Sequence, residues 1–395
     1  MRRTLAVAGV LAWAMVQTGG AAAGQSANPA GKTVVIKAAR MFDGKGDRMV
    51  LPGVVVVAEG KIVAAGAGAA IPADAEVIEL GDATMLPGLI DAHTHLSSEA
   101  SDDWKQARLD RLQKTAAEKA LDATVNARKT LLAGFTTVRD VGASDFVDVG
   151  LRNAIRNGKV IGPRMLIAVN GIGSTGGHCD DTAGFRQGLL PEPGPADSVV
   201  NGANEVRKAV RINHKYGATV IKTCATGGVL SLTDAVDTPQ LTQEELNALV
   251  DEAHALRLKA AAHAHGAEGA KRAIRAGMDS IEHGSFLDDE ALEMMKSRGT
   301  YLVATMMALV GIQERLDRGV YMPPAVVEKA RAAMASLNAM FARAVAKGVK
   351  IAFGTDAGVY PHGGNAKQFA YMVKYGLSPI QALQSATVNA ADLLG

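Results

Sequence analysis

Residues 218–265 read ATVIKTC (218–224), ATGGVLSLTDAVD (225–237), TPQLTQEELNALVDEAHALRL (238–258) and KAAAHAH (259–265). Two short apolar runs flank a stretch long enough for a crossover helix, the pattern of a βα unit whose strands lie parallel and covered on both faces. Working outward, the same texture holds from Pro87 to the end of the sequence. Eight runs carry it: MLPGLIDAH (85–93), TTVRDV (136–141), RMLIAVN (164–170), ATVIKTC, KAAAHAH, DSIEHG (279–284), YLVATMM (301–307) and KIAFGTD (350–356). Eight parallel strands with intervening helices favour a closed (β/α)8 TIM barrel, an α/β fold, over an open doubly wound sheet, and residues 87–395 are expected to form it.

Before that barrel, Thr33–Leu86 shows short β-branched runs broken by glycine and no helical period, so residues 25–86 are expected to be a small, antiparallel, sandwich-like β unit. Residues 1–24, MRRTLAVAGVLAWAMVQTGGAAAG, place Arg2 and Arg3 before an apolar run too short to span a bilayer, with Ala21, Ala22 and Ala23 following. They read as a signal peptide, which implies a secreted or periplasmic protein with no membrane contact once the leader is removed. The segment GIGSTGGHCDDTAGFRQGLLPEPGPADS (171–198) is a Gly- and Pro-rich loop placed over the barrel mouth.

With 395 residues, 48% hydrophobic and 21% charged, the chain has material for a large core, and its net charge of +2 supplies no strong field for nucleic acid or an anionic membrane. Its two cysteines, Cys179 and Cys224, are too few for a Cys-rich zinc module, so any metal site must use nitrogen and oxygen. Both fall near predicted strand ends, where a disulfide is geometrically open; free thiols are expected.

Function in a (β/α)8 barrel sits at the carboxyl ends of the strands. There the first run ends in His93 and His95, the fourth carries Lys222, the fifth ends in His263 and His265, the sixth in His283 and the eighth in Asp356. Alternate strand residues share a face, so His93 and His95 can reach one ion. Five of nine histidines at strand ends, together with an aspartate, is an odd distribution for packing residues and points to a metal site. His214 and His254 fall in helical stretches and His362 in a PHGG turn. Val229, Leu230, Met306 and Met307 form either an apolar wall at the mouth or plain core.

Through GLIDAHTHL (88–96), VIKTCATGGV (220–229), AAAHAHG (260–266), DSIEHG (279–284) and FGTDAG (353–358), in that order, the sequence resembles the amidohydrolase superfamily. The resemblance implies that His93 and His95 hold one divalent ion and His263 and His283 a second. Lys222, carboxylated on its side-chain nitrogen, would bridge them, and Asp356 would ligate the first ion and handle a proton. Either histidine of AAAHAHG could be the ligand; His263 is expected to be, with His265 a catalytic or substrate contact. His178 is a candidate for the substrate's polar end, and Val229 and Leu230 for its apolar part. Two Zn2+ ions are expected, although the ligand set also suits manganese, cobalt or iron.

Within the superfamily the match is closest to the secreted branch related to metal-dependent Xaa-Pro dipeptidases and carboxypeptidases. It looks especially like bacterial amidohydrolases that cleave ochratoxin A to ochratoxin α and phenylalanine. The implied reaction is metal-assisted hydrolysis of a small-molecule amide, an N-acyl amino acid or dipeptide, by a homo-oligomer. The rivals are a cyclic-amide hydrolase of the imidazolonepropionase kind and a non-catalytic scaffold on the same barrel. The family usually returns to its β unit after the last barrel helix, whereas this sequence stops at NAADLLG, leaving truncation or a different completion of that unit open.

Overall fold

A computed structural model describes residues 32–395; the leader expected at residues 1–24 lies outside them. The chain divides into two compact units, one holding the residues up to Met41 with Val50–Thr84, the other Phe42–Met49 with Met85–Gly395.

The smaller unit is a four-stranded sheet in the order Lys61–Ala65, Gly53–Ala58, Val34–Ala38, Glu76–Glu79. Val34–Ala38 runs antiparallel to Gly53–Ala58 and parallel to Glu76–Glu79, so the sheet is mixed where a purely antiparallel one was expected. The reason is connectivity: the chain leaves the hairpin and returns to the far side of its first strand. Val35, Val54 and Val56 bury one face of this sheet.

In the larger unit, strand one is Leu89–Thr94, two Phe135–Asp140, and three Arg164–Ile167, resuming after a left-handed Val169 as Gly171–Ser174. Strand four is Val220–Cys224, five Lys259–Gly266, six Ser280–Phe286 and seven Tyr301–Val303. Each pairs in parallel with the next. Segment 351–357 closes the ring. On one side Leu302 N donates to Lys350 O (2.8 Å) and Ala352 N to Leu302 O (3.0 Å); on the other Ala92 N donates to Phe353 O (2.8 Å) and Asp356 N to His93 O (2.8 Å). The seven strands and this irregular closing segment, in eighth position, lie where the apolar runs place them.

Local chemistry explains the crossovers. Helix Gln243–Ala255 starts at a reciprocal capping box between Thr242 and Glu245, and helix Ala116–Leu132 at one between Thr115 and Glu118, each satisfying orphan backbone donors. Strand five shows how one alternating segment serves two environments. Ala260, Ala262 and Ala264 join the apolar layer between strands and helices, and His263 and His265 occupy the opposite, inward face. The helix that follows, Ala267–Ala276, comes close to the end of strand four: a side chain on Gly269 would sit 2.4 Å from Thr226 Cγ2. Phe135 and Phe353 stack at 5.3 Å between strands two and eight, each burial contributing roughly 1.5–3 kcal/mol. Among the described residues, no helix is long and apolar enough to cross a membrane.

Candidate active site

The polar residues predicted at the strand ends converge. Ligand atoms of His93, His95 and Asp356 lie within 4.8 Å of one another, and so do those of His263, His265 and His283. His93 Nε2 is 3.6 Å and His95 Nε2 3.5 Å from Asp356 Oδ1. Ring centroids of His93 and His283 are 5.0 Å apart, which makes the two clusters adjacent. Lys222 is buried and close enough in charge to Asp356 and Glu282 for both to raise its proton affinity.

Two of these placements depend on backbone that a regular strand does not supply. Glu282 and His283 are consecutive, so extended geometry would send them to opposite faces, but His283 has φ 69° and turns toward its partners. Asp356 has φ 62° and turns in the same way. Left-handed backbone at a non-glycine residue is costly and is held by its surroundings. For His283 the surroundings include Thr305, itself at φ 45°, whose Oγ1 shares a 2.7 Å hydrogen bond with Nδ1. For Asp356 they include buried Asp91, which accepts from Thr355 Oγ1 (2.6 Å), Thr355 N (3.0 Å), Asn365 Nδ2 (2.8 Å) and His93 N (3.1 Å).

One nitrogen of each imidazole is already engaged. His93 Nδ1 donates to Glu282 Oε2 (2.6 Å), His95 Nδ1 to Gly142 O (2.9 Å) and His263 Nε2 to Gly227 O (3.1 Å). His265 Nδ1 bonds Ser285 Oγ at 2.9 Å. At His93, His95 and His263, bonded to a carboxylate or carbonyl oxygen, the other nitrogen keeps its lone pair. Desolvation, helped by Lys222 and the neighbouring rings, holds His93, His263 and His283 well below the usual histidine range, His95 at about 4 and His265 at about 3. Clustered neutral imidazoles, three of them with the tautomer fixed by an acceptor oxygen, fit divalent ions, and Asp356 adds a carboxylate oxygen. Desolvation raises Asp356 to about 7, opposed by Lys222 and reinforced by Asp91 and Glu282. Desolvation lowers Lys222 to about 8.

His178 lies in the loop after strand three, its ring stacked on His263 with centroids 4.3 Å apart. Ser231 Oγ donates to Asp234 Oδ1 (2.5 Å) or Gly228 O (2.9 Å), so His178 Nδ1 donates to Ser231 at 3.1 Å and leaves Nε2 free. Desolvation holds His178 at about 4. Lys329 ties the facing loop down, donating to Gly228 O (2.6 Å), Ser231 O (2.7 Å) and Asp234 O (3.1 Å), on either side of Val229 and Leu230. Val229 and Met306 join the main core, Leu230 packs against it partly exposed, and Met307 packs with Ala357 and Tyr360. His254 bonds Asp279 at 2.9 Å, and His362 Nε2 donates to Ser98 O at 2.8 Å; neither belongs to the clusters.

The cysteines correct the expectation of free thiols. Cys179 and Cys224 form a disulfide with Cα atoms 5.8 Å apart, because the loop folds back onto the end of strand four. Sequence reading also missed Glu282, Arg139, Asp91 and Lys329. For Glu282 a signal was available, since a carboxylate inside an apolar run two residues before a strand end has to find a partner. For Lys329, on helix Pro324–Lys347, no local signal existed.

A model of the Amidohydrolase family matches residues 84–395. Ochratoxinase of Aspergillus niger is 31% identical over 323 residues, which cover 79% of this chain and 65% of that protein, so the match spans less than two thirds of the relative's length. Its crystal structure superposes with a TM-score of 0.79 at 28% identity, covering 92% of this chain and 85% of the other. A Xaa-Pro dipeptidase with methionine bound in its active site gives a TM-score of 0.87 at 42% identity, covering 92% and 89%. A prolidase complexed with N-methylphosphonate-L-proline gives 0.82 at 29% identity, covering 92% and 88%.

Proposed function

Since this chain belongs to the amidohydrolase family, we propose that it hydrolyses the amide linking an acyl group to a free amino acid, using two divalent metal ions. The observation that carries the proposal is the pair of adjacent ligand clusters, His93–His95–Asp356 and His263–His265–His283, at the strand ends beside Lys222. His93, His95 and Asp356 would hold one ion and His263 and His283 the other; His265, whose ligand atom lies in the same cluster, would contact the substrate instead. When bound, such ions polarise a carbonyl and make water nucleophilic at neutral pH, zinc being the expected metal. A scaffold without catalysis has no use for buried, neutral imidazoles aimed at each other.

The chain's own residues supply the rest. Lys222, lowered to about 8, presents at neutral pH a fraction of unprotonated amine; on adding carbon dioxide and releasing a proton to solvent it would become an anionic carbamate, able to supply oxygen ligands to the ions. Amide hydrolysis requires a proton taken from the attacking water and one delivered to the departing nitrogen. Asp356, whose Oδ1 lies 3.6 Å from His93 Nε2 and 3.5 Å from His95 Nε2, would serve both tasks. His178, stacked on His263, would meet the leaving amino acid's carboxylate. On taking up a proton at Nε2 it would be balanced through Ser231 by Asp234. Arg139 is excluded from that role because Glu282, Ser280 and Ala92 O occupy its guanidinium.

Substrates with an aromatic acyl group and a departing apolar residue, ochratoxin A among them, fit the apolar flank at Leu230. The names of the similar proteins, a Xaa-Pro dipeptidase and an ochratoxinase, support the same class. The proposal places the enzyme outside the cytoplasm and, as for the sequence expectation, in a homo-oligomer. A screen of N-acyl amino acids, dipeptides and ochratoxin A with added zinc tests it, with release of the free amino acid as readout. Preferential opening of cyclic amides, with no release from the acyclic ones, would replace it with the ring-opening alternative.

A further inference from the structure

The Cys179–Cys224 disulfide joins two elements of the site at the point where each matters. Cys224 ends strand four two residues after Lys222, so both side chains belong to the inward face. Cys179 follows His178 directly. The fold makes room for the crosslink: a side chain on Gly173 would lie 2.6 Å from Cys179 Cβ, and one on Gly171 2.9 Å from its Sγ and 3.9 Å from Lys222 Cγ. Room is made for the histidine as well, since a side chain on Gly228 would lie 2.1 Å from His178 Cε1.

Beyond the disulfide, His178 is anchored by two hydrogen bonds, its own N to Gln240 Oε1 (2.9 Å) and its Nδ1 to Ser231 Oγ. Both partners sit in the loop 225–240, not on a barrel strand. The crosslink is therefore the one attachment among these that fixes the His178 segment to the barrel wall. Residues 180–194 that follow contain turns but no helix or strand to hold the loop from its other side.

We propose that the Cys179–Cys224 disulfide positions His178 for substrate binding, and that opening it weakens binding of the substrate's carboxylate end while the metal positions stay filled. This rests on the reading of His178 given above. Opening requires a reductant. A water-soluble phosphine attacks one sulfur and breaks the S–S bond; water supplies the oxygen of the resulting phosphine oxide and the two protons of the thiols. None of the six residues assigned to the metals is a cysteine, so reduction removes none of them. Misplacing a substrate contact by a fraction of an ångström is enough to weaken binding and turnover measurably.

The test compares oxidised enzyme, phosphine-reduced enzyme and the Cys179→Ala/Cys224→Ala double variant. The oxidised protein should show no titratable thiol in denaturant, and the reduced protein two. In both opened forms KM for an N-acyl-phenylalanine should rise about tenfold with kcat within about twofold, metal content unchanged, and KM for the matching methyl ester unchanged. Hydrogen exchange in residues 175–190 should accelerate. Equal KM in closed and opened forms, or metal lost on opening, overturns the proposal. If the oxidised enzyme cleaves none of these amides, the substrate reading is what has failed. Hydrogen exchange then decides the positioning claim alone, and unchanged exchange on reduction sinks it.

Discussion

Glu282 and His93 meet inside the barrel at 2.6 Å, both wholly shielded from solvent, and Arg139 grips the other oxygen of the same carboxylate at 2.8 Å. Strand six thus fixes the tautomer of a metal-facing histidine on strand one, and a guanidinium from strand two holds the carboxylate in place. Removing the negative charge should disturb both ends. Glu282→Gln is expected to weaken metal affinity by about 10- to 100-fold, as loss of such outer partners does. It should also destabilise the fold by about 3 to 5 kcal/mol, because Arg139 is left as a buried unpaired charge. Chelator competition and denaturant melts measure the two effects, and normal values of both would show that His93 needs no such partner.

Lys222→Ala should lose at least about a thousandfold in turnover if the lysine supplies the anion between the ion positions. A short-chain carboxylate added to the variant should restore part of the rate by standing in for the missing group. Full activity in Lys222→Ala would exclude an essential carbamate.

His263 and His265 are the two histidines that spacing alone could not separate, and their rings lie 4.8 Å apart at 78°. His263→Ala should release one of two bound ions. His265→Ala should keep both and raise KM or lower kcat. Elemental analysis of the two variants checks this, and the reverse pattern would exchange their roles.

Asp148, at the start of helix Val147–Arg156, is buried and accepts from Val149 N (2.8 Å) and Val169 N (2.9 Å). Desolvation outweighs those bonds and raises it to about 6, from an ordinary value of 3.8. The unfolded chain therefore releases this proton first as pH rises. Stability contributed below pH 4 is lost until the folded group also ionises near pH 6, by about 3 kcal/mol in all. Urea melts from pH 4 to 7 should show a slope of that sign, to which buried Asp91, also raised to about 6 by desolvation, adds, and Asp148→Asn should reduce it by Asp148's share. A variant with the same slope as the parent would place the titration elsewhere.

Much of this architecture was readable before any coordinates. Buried parallel strands write themselves as short apolar runs, and the barrel's functional end collects whatever polar residues terminate them, so His93, His95, Lys222, His263, His265, His283 and Asp356 could be named together, while the choice of ligands among them came from the family resemblance. What could not be read depends on distance in sequence or on local backbone. The Glu282–Arg139 pair spans 143 positions. The inward turn of His283 needs a left-handed φ that no neighbouring glycine announces by itself. The parallel edge of the small sheet, Val34–Ala38 against Glu76–Glu79, is set by a return path, which alternation along a strand does not encode. The disulfide likewise depends on a long loop folding back, and two cysteines 45 residues apart fit either state.

The central claim is that two ions, one held by His93, His95 and Asp356 and the other by His263 and His283, are needed for amide hydrolysis. Metal-stripped protein titrated with zinc, with phenylalanine release from an N-acyl-phenylalanine followed at each addition, tests it most directly. Activity should start near zero and reach its plateau at about two equivalents per chain. A plateau at one equivalent, or full activity before any zinc is added, would contradict the account.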